Sequence, residues 1–311
     1  MQMSLLTATL TAGPVVRPID AALEIGAYEA LWSEQHASFK TLAGRFAQEP
    51  GIRPSDLVPE ADARQVGLRV LGKIRERTRA RFDVRLHGEI EYPARLRDAA
   101  HPVELLYFQG TWDLVFTRAV AVVGTRKPTA DGIARTRKLV RKLVADGFTI
   151  VSGLAEGVDT EAHHTAIAAG GRTIAVIGTP LGLAYPKANA ALQAKIAREF
   201  LLISQVPVER YDAQTVKGNR FFFPERNKTM AALTEATIII EAGETSGTLV
   251  QARAALKQGR KLLVLNSCFE RGDLKWPRRL QDEGAIRVNT YDDIRRELVE
   301  QAPADRGPGT P

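Results

Sequence analysis

The stretch Ala119–Asp159, AVAVVGTRKPTADGIARTRKLVRKLVADGFTIVSGLAEGVD, decides the fold. It opens on AVAVV (119–123), a short run of apolar, partly β-branched residues of the kind that forms a strand covered on both faces. In the middle, Ile133, Leu139, Val140, Leu143 and Val144 fall on one helical face while Arg135, Lys138, Arg141 and Lys142 fill the others. A second apolar run, FTIV (148–151), follows. Strand, amphipathic helix and strand in that order make a βαβ unit, whose two strands lie parallel in one sheet.

The same alternation continues to the C-terminal side. TIAVI (173–177), FLLI (200–203), ATIII (236–240) and KLLVL (261–265) read as further strands, with AIRV (285–288) closing an edge. Helices are expected after Asp159, Lys187, Arg226 and Ser246. The resulting expectation is an α/β domain over residues 81–300 with a doubly wound, mostly parallel sheet. Residues 1–80 read differently: Ala21–Ala47 and Ala61–Arg79 are helical in pattern, separated by the turn-rich EPGIRPSDLVPE, which predicts a small helical N-terminal domain. VELLYFQG (103–110) has the look of a protease-tag site but sits inside continuous patterning, so its LLYF is expected in buried structure. The Pro/Gly-rich tail, residues 301–311, is expected to be disordered.

Bulk properties narrow the function classes. With 311 residues, 44% hydrophobic and 25% charged, the chain can bury a core without staples. No apolar run approaches the ~18–20 residues that span a bilayer. The N-terminus lacks the basic start and apolar stretch of a secretory signal, so a cytoplasmic protein is expected. A lone cysteine, Cys268, excludes a disulfide framework and thiolate zinc clusters, and is expected to be structural. A net charge of +7 favours polyanionic partners.

In an open α/β sheet, ligands gather outside the carboxyl ends of the strands. The segments there are GTRKPTADG (124–132), SGLAEGVD (152–159), GTPLGLAYPKAN (178–189) and EAGETSGT (241–248). They carry glycines, small hydroxyls and, in Gly124-Thr125-Arg126-Lys127, two cations, which suits phosphate. A full dinucleotide fingerprint and a Walker A pattern are both missing from the first segment, so neither a nicotinamide cofactor nor ATP hydrolysis is supported. Arg126, between a strand end and a helix start, is disfavoured by the helix dipole unless an anion binds there. Lys187 starts a helix on the same side. Farther on, Arg220, Arg226 and Lys228 interleave with Phe221, Phe222 and Phe223, offering backbone neutralisation and faces for base stacking; two or more of these phenylalanines are expected in the core, with Phe223 kept as a site residue.

Four residues in IVSGLAEGVDTEAHH (150–164) need separate readings. Asp159 and His163 have the spacing of a two-ligand metal site, but the favoured reading makes Asp159 a helix cap and His163 a polar core or loop-bracing residue, with His164 facing solvent or a neighbouring chain. Ser152 lacks a nucleophile elbow and is expected to offer hydroxyl and N–H to phosphate.

The segments EYPARLRDAAHPVELLYFQG, AVAVVGTRKPTADG, IVSGLAEGVDTEAHHTAI, TIAVIGTPLGLAYPKAN and FFFPERNKTMAALTEATIIIEAGETSGTLVQARAALKQGR resemble, in this order, the DNA-processing protein A (DprA/Smf) family, over roughly Phe82 to Val288. The resemblance implies an extended Rossmann-like fold, a basic pocket gripping single-stranded DNA, protection of that DNA and loading of a RecA-type recombinase in transformation. The favoured reading is non-catalytic, with no cofactor or metal, and a homodimer is expected because extended sheets often pair and long single strands reward multivalent binding. Carried over by position, Arg126 would contact phosphate; Ser152, Gly153 and Leu154 would form a second wall; Arg226, Asn227, Lys228, Ser246, Gly247 and Thr248 would complete the pocket. The chain departs from the family at Glu156, where a cation is common, at Lys228, commonly arginine, and in LNSCFERGDLKWPRRLQDEGAIRV. With a short remainder after the Rossmann-like part, the winged-helix domain some members carry is not expected. Two other readings stand beside this one: a nucleotide-sensing module with the same fold, and a nucleotide phosphoribohydrolase, disfavoured because Gln251 stands where its catalytic glutamate would.

Overall fold

A computed structural model describes residues 17–299; residues 1–16 and 300–311, the Pro/Gly-rich tail among them, lie outside the described part. Nine strands form one sheet: β1 (Asp83–Leu86), β2 (Leu105–Gly110), β3 (Ala119–Val123), β4 (Thr149–Ser152), β5 (Thr173–Ile177), β6 (Leu201–Ser204), β7 (Ala236–Ile239), β8 (Lys261–Leu265) and β9 (Ile286–Val288). Their order is β1-β2-β6-β5-β4-β3-β7-β8-β9. From β6 to β9 all neighbours are parallel, and β2 with β1 adds an antiparallel extension beyond β6. This is the extended, doubly wound α/β sheet expected, with the β9 edge where AIRV predicted it. The strand runs FTIV and FLLI each lie one residue farther along in the structure.

The alternation of side chains across β3 splits the core in two. Val120 and Val122 face a cluster with Leu139, Val140, Leu143, Ile150, Ile238 and Leu263, while Ala121 and Val123 join a larger one on the opposite face. That larger cluster continues without a break into Ile25, Tyr28, Leu31 and Trp32 of the first helix. The N-terminal helices therefore share the core of the sheet. Glu29, buried there, accepts hydrogen bonds from the Tyr107 hydroxyl of β2 and from the backbone N–H of Val208 and Glu209.

Two N-terminal details differ from the sequence expectation. Ala21–Ala47 is not one helix but two, Ala21–Ser33 and Phe39–Gln48, because the chain turns through extended Glu34 and left-handed His36 before Ser38 and Thr41 cap the second helix reciprocally. β1 had no strand signal: in DVRL only Val84 and Leu86 are fully buried, and Arg85 between them lies over the ring of Phe108 at 5.0 Å. Among the described residues no helix is long and apolar enough to cross a membrane.

Candidate functional site

The parallel strand order reverses between β4-β3 and β7-β8, so the segments after β3 and β7 diverge and leave a crevice at their carboxyl ends. The crevice is a cleft of about 720 Å³, walled by Gly124–Lys127, by Ala155 and Asp159, by Tyr185, by Arg220, Phe223, Arg226 and Asn227, and by Gly243 and Thr245–Thr248.

Backbone hydrogen bonds lace the walls together. Thr125 N–H donates to the Glu241 carbonyl (2.7 Å), and Val158 N–H to the Thr125 carbonyl (3.2 Å). The Thr248 hydroxyl donates to the Gly124 carbonyl (3.0 Å), and the Asn189 side-chain amide donates to the Leu154 carbonyl (2.8 Å). The Glu241 carboxylate accepts from the Thr129 hydroxyl (2.8 Å), tying the start of the Ala130–Ala145 helix to the opposite loop. These bonds fix the cleft's shape without using the side chains of Arg126, Lys127 or Arg220.

Arg226 is the keystone of that frame. It sits within the Phe222–Leu233 helix, 5% exposed, and its guanidinium donates to the carbonyls of Gly153 and Val176. A Cβ on Gly153 would come within 2.4 Å of that guanidinium, so only glycine permits the approach. Burial, against the opposing pull of Asp159, lowers Arg226 to about 10; it remains a cation at neutral pH. Asp159, equally buried, is pushed upward by desolvation and accepts from the Gly153 N–H (3.1 Å).

Across the cleft, Phe223 packs over Gly178, where a Cβ would meet its ring at 2.6 Å, and lies beside Tyr185 with ring centroids 5.2 Å apart. Tyr185 is exposed, so the pair offers an aromatic surface at the mouth. Glu156, exposed, adjoins Arg126, Tyr185 and Phe223 on the outer flank. Arg126, Lys127 and Arg220 are exposed, and none has a carboxylate partner among the described residues, whereas 21 other ion pairs occur there.

Most of the sequence-predicted site residues converge here: Gly124, Thr125, Arg126, Lys127, Phe223, Arg226, Asn227, Ser246, Gly247 and Thr248 all line the cleft. Gly153 lies on its flank. Four are placed otherwise. The Ser152 hydroxyl is fully buried and donates to the Val122 carbonyl (2.8 Å), so it faces the sheet and not a ligand. Leu154 buries its side chain in the core from a left-handed backbone. Lys187 is exposed on a single 3-10 turn outside the cleft lining. Lys228 points away, pairing with Glu225 beside a different cavity.

Other expectations changed in detail. Asp159 does not cap its helix, whose N-cap is Gly157, but braces the loop before it. His163 is the buried brace expected, its Nδ1 2.7 Å from the Thr173 hydroxyl and its pKa lowered to about 3 by burial; His164 is exposed. Only Phe222 of the three phenylalanines is fully buried, since Phe221 is exposed and Phe223 half-buried. Cys268 is buried, with its thiol pushed up to about 11 by desolvation. Tyr185 is a site residue that the sequence does not single out, and Arg220, expected as one cation of the cation–aromatic run, lines the cleft beside Phe223.

Residues 83–299 match the family model described as DNA recombination-mediator protein A. The chain is 41% identical over 179 residues to Protein Smf of Synechocystis sp., spanning 44% of that protein's length. It is 37% identical over 208 residues to DNA processing protein DprA of Streptococcus pneumoniae, covering 67% of this chain and 71% of the relative. The X-ray structure of the Streptococcus pneumoniae protein superposes with a TM-score of 0.64 at 28% identity, over 88% of this chain and 91% of the other. A structure of DNA processing protein A from Helicobacter pylori, described for its single-stranded DNA binding mode, gives 0.60 at 29% identity, over 71% of this chain and 97% of the other. The order of strands around the cleft, the matched residues and these relatives agree: the chain belongs to the DNA recombination-mediator protein A family.

Proposed function

We propose that the cleft binds single-stranded DNA through its sugar–phosphate backbone, without catalysing a reaction on it, and that the protein acts in DNA processing and recombination. The carrying observation is the set of three exposed cations without carboxylate partners among the described residues, Arg126, Lys127 and Arg220, around a cleft framed by backbone bonds. Such cations neutralise phosphates, and the Tyr185–Phe223 pair gives bases a face to stack on, worth ~1–3 kcal/mol per base. The contacts address the backbone, so sequence preference is slight. Single-stranded DNA binding by the Helicobacter pylori relative points the same way.

The side chains of the cleft argue for holding over chemistry. Ser152 is committed to the sheet, Arg226 to two carbonyls, and the buried Gln251 carries no carboxylate to stabilise an oxocarbenium centre. In this reading the protein works in the cytoplasm as a homodimer, protects single strands and hands them to a RecA-type recombinase. The test is fluorescence anisotropy of labelled oligo-dT, duplex DNA and a mononucleotide, with wild type and an Arg126→Glu/Lys127→Glu variant. Oligo-dT is expected to bind best and to lose about 100-fold in affinity in the variant, since each reversal replaces attraction by repulsion at a phosphate. Equal binding by both proteins rejects the reading, and preference for the mononucleotide would favour a nucleotide sensor.

A further inference from the structure

Lys228 belongs to the same Arg-Asn-Lys run as two cleft residues, yet it stands one helical step around and lines a second cavity. That cavity, of about 250 Å³, opens between the Phe222–Leu233 and Thr248–Lys257 helices and the segment before β2. Its walls are apolar, with Phe39, Tyr92, Leu96, Val103 and Val250. Inside it, Gln205 and Thr229 are hydrogen-bonded to each other and form a polar spot on an apolar wall.

The rim is cationic. Arg253 and Lys257 are exposed without carboxylate partners among the described residues, and Lys228, paired with Glu225, stands nearby. His101 on the same rim is held below its ordinary value by burial first and then by the charge of Lys228. Val250 lines both this cavity and the cleft, so the two spaces adjoin at that residue.

We propose that this cavity is a second nucleotide subsite, which takes a heterocyclic base into the apolar chamber and the attached phosphate at Arg253 and Lys257. A chamber of this size holds a ring system, and the Gln205 side-chain amide, whose oxygen accepts from Thr229, keeps N–H groups that can donate to a base edge, for which a hydrocarbon offers no acceptor. Two sources share this chemistry: a nucleotide of the strand held in the cleft, which rests on the function proposed above, and a free mononucleotide, which does not.

The test uses the full chain, with the fluorescence of 2-aminopurine as readout, either within oligo-dT or as the free deoxynucleoside monophosphate. Burial of the base quenches the probe. Arg253→Glu/Lys257→Glu is expected to reduce the quench and weaken the bound form about tenfold, the effect of losing roughly two phosphate contacts. Ala254→Phe, which fills the chamber, is expected to abolish the quench while thermal unfolding checks that the fold persists. Quenching of the oligonucleotide alone assigns the strand as source, and quenching of the mononucleotide assigns the free ligand. Unchanged quenching and affinity for both probes in the Arg253→Glu/Lys257→Glu variant overturns the subsite. An Arg126→Glu variant separates the two claims: if it binds oligo-dT like wild type while the rim variant does not, the cleft reading fails and the subsite stands.

Discussion

Arg69, Lys73 and Arg77 run along one side of the Glu60–Arg77 helix and meet Glu209 and Asp212 at 2.6–3.7 Å, clamping the N-terminal helices to the segment after β6. Arg126, Lys127 and Arg220 carry the same charge on the cleft and meet no carboxylate among the described residues. The clamp commits its cations to partners in its own chain; the cleft leaves them to water. Paired surface charges contribute little to affinity for anything else, because their field is already cancelled nearby. Unpaired ones around a concave wall sum to a local positive potential that attracts an anion. Net charge alone does not distinguish these two uses of arginine and lysine, whereas the partners of each side chain do.

Arg226 strains this division most, because it behaves like a clamp residue although it lies in the cleft. Removing it leaves Asp159 buried without its opposing charge and deprives two carbonyls of a donor. Arg226→Ala is expected to cost about 3–5 kcal/mol in urea unfolding, with DNA binding lost as a consequence. An unchanged midpoint would make Arg226 a plain ligand contact.

On the N-terminal side, the Glu104 carboxyl is pushed up to about 8, by burial first and by the Glu24 charge second. Its folded value lies above its unfolded one, so the folded state binds the extra proton from about pH 4.5 to pH 8. The stability it contributes is therefore present at the acid end of that window and lost as pH rises through it. Glu104→Gln is expected to flatten this slope and to gain up to about 4 kcal/mol at pH 8, read from denaturation midpoints at both ends.

At the clamp itself, Arg77→Ala is expected to lower stability by about 1 kcal/mol and to leave oligonucleotide affinity as it was. A fall in affinity without a fall in stability would move the clamp into the binding surface. A smaller effect is expected at Glu156, the exposed anion beside Arg126. Glu156→Gln should raise affinity about two- to threefold at low salt, and the gain should shrink as salt screens it.

The parallel strands were legible because a strand covered on both faces is a continuous apolar run, as in AVAVV and KLLVL. DVRL was not, since an outer antiparallel strand buries only every second residue and here carries Arg85 between. The position of the cleft was also legible, because glycine-rich segments after strands mark the carboxyl ends of the sheet. The aim of single side chains was not. Arg226, Asn227 and Lys228 look equivalent as letters, but the helix begins at Phe222 and not after Arg226, so successive residues are turned by about 100° and point to the frame, the cleft and the second cavity. Ser152 was misread for a related reason: as the last residue of β4 its side chain takes the inward side of the alternation.

The central claim is that the cleft's unpartnered cations are the ones that meet phosphate. The most direct measurement is the salt dependence of oligo-dT affinity for wild type and for an Arg126→Ala/Lys127→Ala/Arg220→Ala variant. Each phosphate contact on a single strand contributes about 0.7 to the slope of log affinity against log salt, so the variant is expected to lose about 2 from that slope while its unfolding midpoint stays put. A slope identical to that of wild type would contradict the account, because the strand would then be held by charges elsewhere.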